Sequence, residues 1–144
     1  MKLSTKCRYG TRAMIEIGRH FKEGPVKRKD ISRNQKISSA YLENILIALK
    51  AQNLIRTVRG ANGGFTLDTS PEKITLHQIV RALEGATVPV DCVDAPEDCG
   101  RSGFCASRRL WQKLHDAQVA VLKGATLQSL IDAESSLEQA DYCI

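Results

Sequence analysis

Two short helical patterns that run directly into a glycine-rich turn are the feature that most constrains how this chain can fold. Residues 26–34 indicate a first helix, and an apolar stripe indicates a second helix, for which Ser38 or Ser39 is a natural N-cap. The stripe consists of Leu42, Ile45, Leu46 and Leu49. The opposite side of the second helix is polar and is left free, so the two patterns predict a helix-turn-helix unit.

A β-hairpin is indicated immediately after this unit. Residues 54–59 and 65–68 are short strand-like runs, and the segment Gly60-Ala61-Asn62-Gly63-Gly64 separates them. Asn-Gly is a strong hairpin signal because both residues tolerate positive φ. A hairpin that follows a helix-turn-helix forms a wing, so the sequence predicts a winged helix-turn-helix.

Helical patterns also flank the winged unit. The spacing of apolar residues predicts a helix over 5–21 that ends before Gly24-Pro25. A capping box formed by Thr75 and Gln78 predicts the start of another helix, which Gly85 closes. The predicted fold class is therefore mainly α with a small β-hairpin wing.

The rest of the chain is predicted to contain an irregular segment and a helical end. Residues 86–106 carry glycine, proline and acidic residues and are expected to be irregular. A long helix is predicted over 107–123 and a short one over 126–133, followed by a loose tail. These boundaries divide the chain into a winged unit (1–85), a cysteine-bearing loop (86–106) and a helical end (107–144).

The composition favours a globular protein and excludes a membrane-spanning one. The 144 residues are 42% hydrophobic and 26% charged, and no apolar run approaches the length needed to cross a bilayer. The start of the chain lacks the pattern of a secretion signal, so we expect a cytoplasmic protein. Residues 1–85 hold 16 basic and 7 acidic residues, whereas residues 86–144 hold 5 basic and 9 acidic ones. The basic half suggests contact with a polyanion.

The start of the second helix and the wing form a candidate DNA-binding surface, because these elements enter the grooves in winged helix-turn-helix proteins. The candidate residues are Ser38, Ser39, Ala40, Tyr41, Glu43, Asn44, Arg59, Asn62, Gly63 and Gly64. Glu43 can accept from a cytosine amino group while repelling phosphates, and the Arg59 guanidinium can enter the minor groove. Two alternatives remain open: the serines only cap the helix, or the winged helix docks a protein.

Three of the five cysteines, Cys92, Cys99 and Cys105, are clustered in the 86–106 loop. Their spacing of six and five intervening residues differs from the C-x2-C knuckle of ordinary zinc sites. A flexible loop can wrap a metal or cluster, whose positive charge would keep three thiolates deprotonated together. Zinc and unligated thiols remain alternatives to an iron–sulfur cluster.

A set of three cysteines lacks one ligand for an iron–sulfur cluster. The candidates for the fourth ligand are His115, Cys7 and a side chain of a partner subunit. Cys143, near the end of the chain, is expected to be a spectator. No motif places a catalytic histidine or acid beside a cysteine, so an enzyme is not expected.

Four stretches of the chain together carry a family resemblance. They are Met1-Lys2-Leu3-Ser4-Thr5-Lys6-x-Arg8-Tyr9, Ile37-Ser38-x-x-Tyr41-Leu42-Glu43, Val58-Arg59-Gly60-x-x-Gly63-Gly64 and the three-cysteine loop. In their order and spacing they resemble the IscR-like family of bacterial winged-helix iron–sulfur transcriptional regulators, which includes NsrR and CymR. The resemblance spans roughly residues 1–133.

The resemblance implies a homodimeric DNA-binding repressor whose long C-terminal helix pairs with that of its twin. It also implies that Cys92, Cys99 and Cys105 bind an iron–sulfur cluster, 2Fe-2S rather than 4Fe-4S. Operator binding would then respond to cluster or iron status, or to oxidative or nitrosative stress. The CymR-like alternative is a cluster-free or zinc-bound regulator of cysteine or sulfur metabolism that senses through its thiols.

Two positions depart from the family pattern. The family's histidine ligand lies three residues after the last cysteine, where this chain has Arg108, and an arginine is a poor iron ligand. The acidic ligand of NsrR-like members near the N-terminus is replaced by Arg8. Cys7 is next to that position, and we hypothesise that it reaches the partner's cluster as the fourth ligand. The alternative is that Cys7 is a small buried residue of the first helix.

Overall fold

The computed structural model describes residues 2–142, so Met1, Cys143 and Ile144 lie outside the described residues. The helices are α1 (Thr5–Arg19), α2 (Arg28–Gln35), α3 (Ser39–Ala51), α4 (Leu76–Glu84), α5 (Asp91–Asp94), α6 (Ala106–Gly124) and α7 (Leu127–Tyr142). The strands are β1 (Ile55–Val58) and β2 (Gly64–Leu67), and two 3-10 turns cover Pro71–Lys73 and Pro96–Asp98. This confirms the predicted fold class of a mainly helical chain with one hairpin. Within residues 2–142, no helix is long and apolar enough to span a membrane.

The helices α2 and α3 form the predicted helix-turn-helix. Lys36 ends α2 in the left-handed conformation with φ 53°, and the amide of Ile37 donates to the Ser32 carbonyl at 3.0 Å. Ser38, rather than Ser39, caps α3, since its hydroxyl accepts from the Tyr41 amide at 3.4 Å. The predicted apolar stripe of α3 is fully buried, which leaves the start of the helix exposed.

The hairpin is antiparallel, with Ile55 opposite Leu67 and Val58 opposite Gly64. Asn62 and Gly63 signalled the hairpin because both tolerate positive φ, but the loop residue that adopts positive φ is Gly60, with φ 112°. The amide of Gly63 donates to the Gly60 carbonyl at 3.0 Å, which closes a four-residue turn with Ala61 and Asn62 at its centre. Neither central residue has positive φ, so the turn does not need an unusual conformation at Asn62.

A single core joins the winged unit to the last helix. Its fully buried side chains are Met14, Ile17, Ile31, Leu42, Ile45, Leu46, Leu49, Ile55, Leu67, Ile74, Ile79 and Leu127. α1 lies at the centre and packs against α2, α3, α4 and α7. The predicted capping box of Thr75 and Gln78 is present at the start of α4, and Gly85 ends that helix with φ 79°.

The last helix is longer than expected. We predicted a short helix over 126–133 and a loose tail, whereas α7 continues to Tyr142. Residues 134–142 contain no glycine or proline and are rich in residues that favour helices, so nothing local stops the helix. Arg19 of α1 also pairs with Glu134 and Glu138 at 2.9 Å each, which fastens α7 along α1.

The segment 86–106, expected to be irregular, contains two short helical pieces. They are α5 and the 3-10 turn Pro96–Asp98, which follow one another along the chain. Val93 of α5 is buried, and α5 contacts α6. The cysteine-bearing loop is therefore a folded connector between α4 and α6.

Candidate DNA interface and cysteine loop

The predicted DNA-binding residues of α3 lie on its exposed first turns. Ser38, Ser39, Ala40, Glu43 and Asn44 are exposed. Their polar atoms face outward because the opposite side of α3 carries the buried stripe. In a helix-turn-helix, this end of the second helix is the part that meets base edges.

Tyr41 differs from its neighbours because it is half-buried. Its ring packs edge-to-face against Tyr9 with 6.1 Å between the ring centroids. The Arg12 guanidinium lies over the other ring of this pair, 5.5 Å from the Tyr9 centroid, and also donates to the backbone of Gln35. Tyr41 therefore helps to hold α3 against α1 and α2, and only part of its ring is available to a ligand.

Glu43 makes an ion pair that the sequence did not reveal. Its carboxylate lies 2.9 Å from the guanidinium of Arg28, at the start of α2. Both side chains are largely exposed, so the pair adds little to stability. It does restrict where the Glu43 carboxylate points, because the carboxylate has a fixed cationic partner on the neighbouring helix.

Ile47 lies one turn after Glu43 and is 61% exposed, although it is a large apolar residue. With Arg28, Glu43, Thr57 and Phe65 it lines a small cleft between α3 and the hairpin. The start of α3 and the wing strands therefore meet at one edge of the molecule. The periodicity of α3 gave no signal for Ile47 because this residue lies off the buried stripe.

The predicted wing residues differ in their exposure. Arg59 and Asn62 are exposed, whereas Gly63 and Gly64 are half-buried. Gly64 lies in β2 directly against the backbone of Val26, where a side chain would collide. The wing therefore presents a guanidinium and an amide outward, and its glycines allow close backbone packing.

The three loop cysteines occupy consecutive elements. Cys92 lies on α5, Cys99 directly follows the 3-10 turn, and Cys105 directly precedes α6. All three are half-buried, and none is in a disulfide within the described residues. Soft thiol donors of this kind suit an iron–sulfur cluster or zinc. In residues 2–142, however, the structure gathers no group of three His, Cys, Asp or Glu side chains in metal-binding geometry.

The surroundings of Cys105 favour the thiolate form of its side chain. The Ser107 hydroxyl, 3.2 Å from its Sγ, lowers the pKa of the Cys105 thiol. The backbone amides at the start of α6 and the nearby Arg101 lower this pKa further. Cys105 is therefore suited to act as a thiolate, either as a ligand or as a reactive group.

Arg108 occupies the position at which the IscR-like pattern has a histidine ligand. In this chain its side chain makes a hydrogen bond to the backbone. Its Nε donates to the carbonyl oxygen of Cys92 at 2.8 Å. The guanidinium thereby links the first turns of α6 to α5. Arg108 therefore adds no fourth metal ligand to the three thiols of the loop.

Two of the three candidates for the fourth ligand are residues of this chain, Cys7 on α1 and His115 on α6. Cys7 is 1% exposed in the core, and burial together with the neighbouring Glu84 raises the pKa of its thiol to about 11. This environment favours the alternative of a small buried residue. His115 lines a cleft with His77 and Asp94 instead.

Helix α6 is unusual because its apolar side faces outward. Leu110, Leu114 and Val121 are 58%, 46% and 72% exposed, and Trp111 beside them is 37% exposed. The half-buried side that faces the rest of the chain includes the polar residues Arg108, Gln112, His115 and Gln118. An apolar helix face of this size in water marks an interaction surface.

Comparisons with known proteins agree on one family. The model of the Rrf2 family, described as an iron-dependent transcriptional regulator, matches residues 3–133. The regulator CymR of Bacillus subtilis is 36% identical over 140 residues, which cover 97% of this chain and 96% of the relative. The regulator IscR of Pectobacterium carotovorum is 33% identical over 141 residues, which cover 98% of this chain and 85% of the relative.

Two solved structures agree with the observed architecture. The structure of CymR, the global cysteine regulator of B. subtilis, superposes with a TM-score of 0.78 and 38% identity, covering 92% of this chain and 98% of that one. The structure of T. potens IscR superposes with a TM-score of 0.76 and 34% identity, covering 94% of this chain and 90% of that one.

Proposed function

Because this chain belongs to the Rrf2 family of transcriptional regulators, we propose that it is a homodimeric repressor whose operator binding is controlled by an iron–sulfur cluster. The family assignment confirms the IscR-like resemblance read from the sequence. It also identifies the chain as a transcriptional regulator and not as an enzyme. We expect the protein to act in the cytoplasm, where its DNA target lies.

DNA binding is assigned to the winged unit, residues 1–85. The support is the exposure of the polar start of α3 beside the wing, in the half of the chain that carries the basic excess. Ser38, Ser39 and Asn44 would reach base edges or phosphates, and Arg59 would enter the minor groove. Glu43 would discriminate between bases through its carboxylate, which the ion pair with Arg28 orients.

Dimer formation is assigned to the outer face of α6. Rrf2 regulators are typically dimeric. The exposed Leu110, Leu114 and Val121 offer an apolar stripe at helical spacing, which a second copy of α6 could cover symmetrically. In a dimer, the two copies of α3 are held at a set separation, so a change in the connector alters how they meet two half-sites.

The cluster is assigned to the connector 86–106, with Cys92, Cys99 and Cys105 as its protein ligands. The donor chemistry of three half-buried thiols and the lowered pKa of Cys105 support this assignment. When bound, a cluster, which we favour as 2Fe-2S, would supply a redox-sensitive centre that oxidative or nitrosative stress can alter. Within the chain itself, the connector joins α4 to α6, so we expect its order to affect the angle between the winged unit and α6.

A second candidate is a cluster-free regulator that senses through its thiols. Its support is the similarity to CymR and the ionisable Cys105 thiol. The open arrangement of the three thiols is consistent with it. In this case oxidation of the loop thiols, or zinc bound to them, would alter the connector.

The test is the visible absorption, Mössbauer spectrum and iron content of protein purified under nitrogen. The cluster proposal expects charge-transfer bands and bound iron that disappear when Cys92, Cys99 and Cys105 are replaced together by alanine. Cys143→Ala, a cysteine outside the loop, is the matched control and should keep both. Colourless, iron-free protein that still binds its operator would overturn the cluster proposal and favour the thiol-sensing candidate.

A further inference from the structure

A cleft separate from the three thiols lies at the junction between the winged unit and α6. It has a volume of about 480 Å³ and is bounded by α4, α5, α6 and the connector residues after Gly85. Its polar lining residues are Gln52, His77, Arg81, Thr87, Asp94 and His115. A volume in this range accommodates a small molecule.

Basic side chains from two helices lie at or near this cleft. The pKa of His77 is lowered first by burial and then by the positive charges of Lys123, Arg81 and His115. Asp94, on α5, is the only acidic residue among the described residues that line the cleft, and it is exposed. Cationic groups from α4 and α6 therefore converge on this space.

His115 carries a buried atom without a partner. Its Nδ1 is shielded from solvent and makes no hydrogen bond within the described part of the chain. A buried polar atom left unpaired costs about 1–3 kcal/mol, and a ligand that forms a hydrogen bond with this lining ring would recover part of that cost. The neighbouring wall is apolar, formed by Val80 and Val88, which would cover the carbon skeleton of a ligand.

We propose that this cleft binds a small organic anion whose carboxylate or phosphate group is held by His77, Arg81 and His115. A cation would face repulsion from these groups and from Lys123, whereas an anion is attracted by all of them. Arg81 supplies a fork of donors that suits a carboxylate or phosphate group. The anion is held by α4 and α6 together.

This site goes beyond the proposed function because it adds a small-molecule input that needs no cluster. A ligand that joins α4 of the winged unit to α6 favours one angle between them. By linkage, it binds more tightly to the arrangement that it stabilises. The same angle is the quantity through which the connector is proposed to control operator binding.

The test is calorimetric titration of the full-length protein with succinate and, separately, with inorganic phosphate, at constant ionic strength. We expect saturable binding of at least one anion, with proton uptake near neutral pH because the anion raises the lowered pKa of His77. The affinity for succinate should therefore rise as the pH falls from 8 to 6. Sodium chloride at equal ionic strength should give no saturable heat.

Matched variants distinguish the cleft from the general surface charge. Arg81→Ala should weaken binding about tenfold, and His77→Gln should reduce the proton uptake. Arg109→Ala removes the same charge from an exposed position of α6 outside the cleft lining and should change affinity by about twofold or less. Equal losses in Arg81→Ala and Arg109→Ala, or no saturable binding of either anion, would overturn the proposal. Neither result would affect the absorption test for the cluster.

Discussion

The Nε of Arg108 donates a 2.8 Å hydrogen bond to the carbonyl oxygen of Cys92, so the start of α6 is joined directly to α5. The residue that replaces a histidine of the related pattern thus contributes a link within the cysteine loop. Helix α6 also carries the outward apolar face that we propose as the dimer interface. The hydrogen bond therefore connects the cysteine loop to the proposed dimer helix. It makes Arg108 a positioning residue for Cys92.

Arg108→Ala should loosen α5 without unfolding the core. The loss of one hydrogen bond costs about 1 kcal/mol, and Arg108 is only half-buried. Hydrogen exchange of the amides in residues 91–99 should become faster, while the amides of α3 remain protected. Arg109→Ala, an exposed neighbour, is the control. Unchanged exchange in residues 91–99 would show that the Arg108 contact does not order the loop.

Sequence patterns predicted the parts of the fold that depend on neighbouring residues. The stripe of α3 and the capping box of Thr75 and Gln78 are local signals, and both were confirmed. The positive φ at Gly60 was missed because the Asn-Gly signal describes two-residue hairpin loops. This loop has five residues and contains a turn closed by the hydrogen bond from the Gly63 amide to the Gly60 carbonyl.

Contacts between distant residues were outside the reach of these patterns. The pairs Arg28–Glu43 and Arg108–Cys92 and the His77–His115 cleft join residues that only the tertiary fold brings together. The extent of α7 was missed although the composition of residues 134–142 favours a helix, and Arg19 of α1 helps to hold that helix in place. The three cysteines were found from their spacing alone, but spacing carries no information on whether their thiols converge.

Cys105 should be the most reactive of the loop thiols in protein free of metal. The Ser107 hydroxyl and the backbone at the start of α6 lower the pKa of Cys105. A larger fraction of Cys105 is therefore thiolate at neutral pH than for a cysteine with an ordinary pKa. Alkylation by iodoacetamide, followed by mass spectrometry of the peptides, should label Cys105 before Cys92 and Cys99. Ser107→Ala should shift the pH dependence of this labelling upward, and Ser102→Ala should not. Equal labelling rates for the three thiols would contradict this prediction.

Cys7 should make the folding stability decrease in alkaline solution. Its folded pKa of about 11 is raised above that of an unfolded thiol, so its contribution is fully present below the unfolded pKa. This contribution to the free energy of unfolding is lost as the pH rises from the unfolded pKa through about 11, and the full loss is on the order of 2–3 kcal/mol. Urea unfolding between pH 8 and pH 11 should therefore show a steeper loss for the unaltered protein than for Cys7→Ala. Parallel curves for the two proteins would contradict the burial argument.

Leu114→Glu should separate the proposed dimer into monomers. The carboxylate would be placed in the middle of the exposed apolar stripe of α6, where burying an unpaired charge against a second copy costs several kcal/mol. Sedimentation velocity should show a fall in mass by half, with an unchanged helical circular dichroism spectrum. Ser136→Glu adds the same charge to exposed α7 and should leave the mass unchanged. A Leu114→Glu protein that remains dimeric would exclude this face as the interface.

Arg59→Ala should weaken operator binding by about 1–3 kcal/mol, as expected for the loss of a guanidinium contact in a groove. Arg59 is exposed at the end of β1, and its removal exposes no core residue, so the fold should be retained. The affinity for a selected operator should be measured at several salt concentrations. If Arg59 also neutralises a phosphate, the salt dependence should decrease by about one counterion. Arg109→Ala, which removes the same charge from α6, is the control, and equal effects of the two substitutions would argue that the wing contributes only net charge.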